Sequence, residues 1–266
     1  PLLWSGANAQ ERAASKASND SVPSDVPAAA RPQGGVIIAI NVQSGELLCA
    51  AAAPRFDLRL LVHDGDEVWR KVQNDPSSPL FPRATGMALP PGSVFKSLTA
   101  IAALQHPDFD PEEIVTCRGY LDRPDKHRCY IFRHYGVGHS DISMIGSLCQ
   151  SCNVYFYSVG RAIGAQQMVD WSHRMGFGRP TGIDLPNEAS GHVPRPEALQ
   201  TIRLAGADDA AQEARKASQW YPGNTLGLAI GQASLTVTPL QIARLMAAIA
   251  NDGELVTPTV VRDVRD

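Results

Sequence analysis

The chain predicts an α+β protein, and three observations predict it. Strand-forming residues open the structured part at Val36-Ile37-Ile38-Ala39-Ile40-Asn41-Val42 and return near the end over residues 256–264. Between them, apolar residues recur at helical spacing over residues 93–105, 142–163 and 238–250. The chain has 266 residues, 44% of them hydrophobic and 19% charged, enough to enclose a sizeable core. Strands at both ends with helices between fit an α+β layer architecture. A net charge of −3 gives no electrostatic case for a nucleic-acid partner, which needs a basic face. No apolar run approaches the ~20 residues of a bilayer crossing.

Taken in order, residues 1–33 are rich in Ala, Ser, Asp and Pro and lack a sustained apolar period. They predict a linker or poorly ordered lead-in, and the domain is expected over residues 34–266. Residues 36–42 and 47–52, joined by Ser44-Gly45, predict a hairpin, whose apolar first strand is expected to be covered on both faces. An irregular, proline-interrupted region is expected over residues 55–89. Pro90-Pro91-Gly92 then halts regular structure, and residues 93–105 read as a mostly apolar helix opening on Ser93. Residues 107–141 show no persistent period and predict an irregular subdomain. Helices are expected over 142–163, 170–177 and 207–217, an extended segment over 181–186, and a small apolar stretch over 226–231. Thr238-Pro239 opens a strong helix, with proline in the first turn where its missing N–H costs little, and Asn251-Asp252-Gly253 ends it.

The chemistry is expected at Ser93 and Lys96. A serine hydroxyl is a poor nucleophile until a base takes its proton, and a base three residues on lies one helical turn away. Of the five lysines, Lys96 alone has a serine three positions before it. Burial beside Val94, Phe95 and Leu98 would favour its neutral, basic form. Ser151-Cys152-Asn153 supplies a second hydroxyl for proton transfer and an amide that can hold a carbonyl or position the lysine. Read alone, that tripeptide is equally a helix N-cap.

Together these motifs resemble those of the penicillin-binding protein transpeptidases, whose signature pairs Ser-x-x-Lys with Ser-x-Asn and a later Lys-Thr-Gly. The likeness covers roughly residues 34–264. It includes the hairpin around Ser44-Gly45-Glu46-Leu47-Leu48, Pro79-Leu80-Phe81-Pro82-Arg83-Ala84, Thr181-Gly182-Ile183-Asp184-Leu185-Pro186, Ala229-Ile230-Gly231-Gln232 and Thr238-Pro239-Leu240-Gln241. The elongation-type class B enzymes are most similar, through Ser151-Cys152-Asn153-Val154-Tyr155-Phe156-Tyr157.

The resemblance implies a β-lactamase/transpeptidase-like fold, an antiparallel sheet flanked by helices with a mostly helical subdomain, and a D,D-transpeptidase of cell-wall peptidoglycan. Ser93 would be the acylated nucleophile, its N–H half of an oxyanion hole, Lys96 the base, Ser151 a proton relay and Asn153 a substrate-positioning amide. Stem peptides and β-lactams are the implied ligands, and a cell-elongation membrane glycosyltransferase the implied partner. The implied location is periplasmic, in an inner-membrane-anchored protein whose anchor lies outside this chain. A serine β-lactamase, a β-lactam sensor and a catalytically dead scaffold are the alternatives. No lysine here is followed by Thr-Gly or Ser-Gly. The third motif and last strands are therefore expected beyond Asp266, and the piece as given is expected to turn over slowly if at all. Ala233 stands where the family usually carries a glycine.

Five cysteines in an exported domain call for pairing or metal. Cys117, Cys129, His139 and Cys152 have the ligand types of a closed tetrahedral zinc site, though their gaps match no finger or ribbon. The resemblance adds weight to structural zinc, since some elongation-type members hold zinc with this loop and the middle residue of the second motif. A Cys117–Cys129 disulfide is the competing expectation. Cys149, one helical turn from Cys152, is an alternative ligand.

Overall fold

Val36, Ile38 and Ile40 share one face of the first strand, while Ile37 on the other is 71% exposed. This strand, β1 (Gly35–Ile40), pairs with β2 (Leu47–Ala53) through a turn in which Gly45 N–H reaches Asn41 O at 2.9 Å. The expectation of a strand covered on both faces is therefore corrected: the described sheet has two strands, and one face of β1 meets solvent. The structure, a computed structural model, describes residues 34–63, 65–196 and 220–261. The expected lead-in over 1–33 and the helix over 207–217 lie outside the described residues.

Chain contacts divide the described residues into two compact units, one over residues 53–80 and one over residues 36–52 and 81–261. The first holds α1 (Leu58–His63) and α2 (Gly65–Gln73), where sequence periodicity predicts only irregular chain. Charge, not an apolar stripe, carries α2. Asp66 and Glu67 occupy its first turn, Arg70 and Lys71 its last, and Glu67 pairs with Lys71 at 2.7 Å. None of its residues is buried, which is why an apolar period gave no sign of it.

The second unit is helical at its centre. After α3 (Arg83–Gly86), a 3₁₀ turn over Gly92–Phe95 leads into α4 (Lys96–Leu104). The region expected to be irregular contains β3 (Val115–Cys117), α5 (Tyr130–Tyr135) and β4 (Ser140–Ile142); β3 and β4 pair antiparallel with Cys117 opposite Ser140. Then come α6 (Met144–Cys149) and α7 (Asn153–Arg174), which breaks at Gly164 (φ 77°, ψ 166°), between the two helices expected from the sequence. The small apolar stretch becomes the end of α8 (Pro222–Ala229), and Thr238 caps α9 (Pro239–Ala250). That cap is reciprocal: Thr238 Oγ1 accepts from Gln241 N–H and Gln241 Oε1 from Thr238 N–H.

Helix α7 is the axis of this core, with α4 and α8 packed on it. Phe95, Leu98, Tyr155, Phe156, Met168 and Leu228 are fully buried there. Gly160 permits the close approach of α8, since a Cβ on it would fall 2.5 Å from that of Ala229. The segment after Pro258 is held by a polar anchor on the surface. Asp184 accepts from the N–H groups of Val260 and Val261 at 2.8 and 2.9 Å. Leu47 N–H donates to Thr259 O at 2.8 Å, so the expected last strand is reduced to a single parallel bridge between Glu46 and Thr259 before Arg262. Pro258, which has no N–H to donate, interrupts the pairing.

Candidate active site

Two backbone ties set the turn that carries Ser93. Leu89 and Val237 exchange hydrogen bonds at 3.0 and 2.9 Å, and Gly92 N–H donates to Gly231 O at 2.8 Å. Gly231 (φ 70°) lies so close to Gly92 and Phe95 that any side chain on it would displace the turn. The turn is 3₁₀ rather than the α-helical start expected, with three residues per turn, and this eclipses Ser93 with Lys96 more closely than an α-helix would. Ser93 is exposed and lines an open cavity of about 650 Å³ with Ser151, Asn153, Tyr157, Gln232 and residues of α5.

Lys96 sits beneath that cavity, 1% exposed. Its Nζ donates to Ser151 O at 2.7 Å, Ser151 Oγ at 2.9 Å and Asn153 Oδ1 at 2.7 Å. The Phe156 ring lies 5.8 Å away. Burial, the largest influence, lowers the amine to about 8, with Cys152 and Cys129 acting in the opposite direction. Three acceptors match the three N–H bonds of an ammonium, so the site accommodates the charged lysine while desolvation favours the neutral one. Ser93 makes no side-chain hydrogen bond among the described residues; it shares the cavity wall with the groups that hold the amine.

The second motif is not an N-cap through its serine or asparagine. Cys152 is the N-cap of α7, its Sγ accepting from Tyr155 N–H at 3.4 Å, which frees Ser151 and Asn153 to turn toward Lys96. Ser151 takes a left-handed conformation (φ 52°) that places both its carbonyl and its hydroxyl on the amine. Asn153 Nδ2 donates to Arg128 O at 3.0 Å, tying the site to the loop ahead of α5. Ala233 also lies in the left-handed region (φ 63°), a conformation that favours glycine.

Cys117, Cys129, His139 and Cys152 converge, their donor atoms all within 4.8 Å of one another. Cys117 Sγ is 3.6 Å from Cys129 Sγ and 3.4 Å from His139 Nδ1, and Cys129 Sγ is 3.7 Å from Cys152 Sγ. A tetrahedron with Zn–S near 2.3 Å and Zn–N near 2.0 Å has edges of about 3.8 Å (S–S) and about 3.6 Å (S–N), so the donor set fits this metal. Hydrogen bonds from Cys129 and Cys152 push the Cys117 thiol down toward thiolate, the form a metal binds. The disulfide expectation is corrected, since Cys117 and Cys129 are free thiols. Cys149 is exposed and outside the cluster because the chain turns out of helix between α6 and α7.

The sequence reading missed the wall formed by α5. Tyr130, Ile131, Arg133 and Tyr135 line the cavity with Gln150 and Gln232. The available signal was Gly136, a left-handed C-cap (φ 69°) whose N–H bonds Phe132 O.

Residues 35–266 match the family description "Penicillin binding protein transpeptidase domain". The peptidoglycan D,D-transpeptidase MrdA of Acinetobacter baumannii is 33% identical over 231 residues, 86% of this chain and 32% of that protein. PBP2 of Helicobacter pylori, solved in complex with MreC, is similar with a TM-score of 0.69 and 30% identity, over 85% of this chain and 39% of that one. Penicillin-binding protein A of Mycobacterium tuberculosis, solved as a cephalosporin acyl-enzyme, is similar with a TM-score of 0.63 and 26% identity, over 85% and 46%. The chain spans about a third of the length of the curated relatives it matches.

Proposed function

The chain belongs to the penicillin-binding protein transpeptidase family and has its β-lactamase-like fold, and on that premise we propose that it carries the acyl-transfer centre of a peptidoglycan D,D-transpeptidase. One observation carries the reading: Lys96 Nζ is buried and held by Ser151 and Asn153 beneath the cavity that Ser93 lines. Neutral Lys96 takes the Ser93 proton as the oxygen attacks the penultimate D-alanine carbonyl of a donor stem peptide. Ser151 passes a proton to the departing D-alanine amine, leaving an ester on Ser93. Ser93 N–H, in the first turn and without an intrahelical acceptor, faces the developing oxyanion. Lys96 gains a proton in this step, and its three acceptors match the ammonium that results. β-Lactams enter as donor mimics and remain on the same oxygen.

Cys117, Cys129, His139 and Cys152 would hold zinc. With four protein ligands it would supply a structural cross-link rather than an open coordination position. Cys152 lies between Ser151 and Asn153, so the cluster's service is to hold the base's partners in place. Similarity to the peptidoglycan transpeptidases supports a periplasmic setting and a role in cell shape. A partner in the cell-elongation machinery, including a membrane glycosyltransferase, is supported by the similar PBP2 solved with MreC and by a similar chain in a peptidoglycan synthase complex. Among the described residues no helix is long and apolar enough to cross a membrane.

A time course with fluorescent penicillin on the full-length parent protein tests the enzyme class. Stable labelling that approaches one adduct per chain is expected. Rapid release of hydrolysed drug would make the protein a lactamase, and no labelling would make it a scaffold.

A further inference from the structure

Helix α5 is held as a rigid wall from both ends. Cys129 is its N-cap, fully buried in the thiol cluster, and His139, three residues past the left-handed Gly136, belongs to the same cluster. Phe132 faces inward, packed edge-on against Tyr120 with ring centroids 5.2 Å apart. It also crowds Gly119 so closely that no side chain fits there. With Phe132 turned in, Arg133 is exposed and lines the cavity with Ser93, Ser151 and Asn153.

The cavity's charge is one-sided. Among the described residues that line it none is Asp or Glu, and Arg133 is the one permanent cation among those. Among the described residues Arg133 has no ion-pair partner. Its charge reaches Tyr157 on the same wall, partly offsetting the effect of burial on that phenol. An exposed guanidinium on a cavity wall where the described residues offer no carboxylate is a site for an anion, and its planar fork suits a carboxylate.

Resting on the transpeptidase reading above, we propose that Arg133 binds a carboxylate carried by the acceptor strand beside its attacking amine, making acidic amino-acid amines the acceptor class. In the second half-reaction the amine nitrogen bonds to the acyl carbon and the bond from that carbon to Ser93 Oγ breaks. The amine proton returns to the Ser93 oxygen through Ser151 and Lys96. The proton must reach Ser151, so the amine arrives on the Ser151 side. Asn153 and Cys152 join that side to residues 128–129, from which α5 starts. A guanidinium there also disfavours the ammonium form of the acceptor and so keeps its amine nucleophilic.

The test uses the purified full-length parent protein, a D-alanyl thioester as donor, and D-alanine or D-alaninamide as acceptor. The unmodified enzyme is expected to favour D-alanine by about tenfold in kcat/KM, chiefly through the acceptor KM. Arg133→Gln should bring that preference to about one, and Arg133→Lys should restore part of it. Penicillin acylation, which needs no acceptor, reports in each variant whether Ser93 and Lys96 remain assembled. A preference that survives in Arg133→Gln, or is missing from the unmodified enzyme, overturns the assignment. So does Arg133→Gln slowing penicillin acylation as much as transfer, since the carboxylate bound would then be the donor's. An unmodified protein that takes no penicillin at all defeats the transpeptidase reading itself, and this inference with it.

Discussion

Replacing Lys96 with methionine is expected to slow penicillin acylation of the protein by about 10³-fold, within the range that a positioned general base contributes. Methionine keeps the length and apolar stem of lysine, so packing beside Phe156 is largely retained while the amine is lost. The three acceptors on Ser151 and Asn153 would then lack their donor, which adds a modest stability cost. A pH profile separates the two effects. Burial is the main cause that brings Lys96 down to about 8, and only its neutral form can take a proton. Below that pH the neutral fraction grows about tenfold per unit, so the acylation rate should climb with pH and level off above about 8. Lys96→Met should lose both the rate and the climb. A variant that keeps the same rising limb would assign the base to another group.

Removing a ligand from the cysteine cluster should have the largest effect on stability. The purified protein is expected to hold about one zinc per chain, and Cys129→Ser to hold none. Cys129 touches both Cys117 and Cys152, so its loss uncouples the β3 loop, α5 and the N-terminus of α7 together. Losing a structural metal belongs with the larger single-site effects, about 4 kcal/mol, and at roughly 2–4 °C per kcal/mol Tm should fall on the order of 10 °C. Acylation should slow as well, because Ser151 and Asn153 flank Cys152. Metal-free protein with an unaltered melting curve would remove zinc from the account.

The sequence was most informative where a local rule and a tertiary demand agree. Thr238-Pro239 with Gln241 writes its own cap, and the hairpin around Ser44-Gly45 needs only its turn. Ser93, Lys96, Ser151 and Asn153 could be singled out because acyl-transfer chemistry restricts the residue type at each proposed position, and the structure brings Lys96, Ser151 and Asn153 into one hydrogen-bonded group. What ties them together was not legible. Lys96 is held partly by the Ser151 carbonyl, and a backbone carbonyl leaves no mark in a sequence; its aim depends on the left-handed conformation at Ser151. Helix α2 was hidden because it buries nothing, and α5 because six residues are too few to establish a period. The cluster's residue types could be read, but that Cys152 rather than Cys149 joins Cys117, Cys129 and His139 depends on the pairing of β3 with β4 and the break between α6 and α7, which no sequence period displays.

The central claim is that Ser93 oxygen is the atom acylated. Peptide mapping by mass spectrometry after incubation with benzylpenicillin addresses it most directly. The account predicts a single adduct on the peptide containing Ser93, absent from Ser93→Ala. An adduct on Ser151 or any other residue, or one that persists in Ser93→Ala, would contradict it.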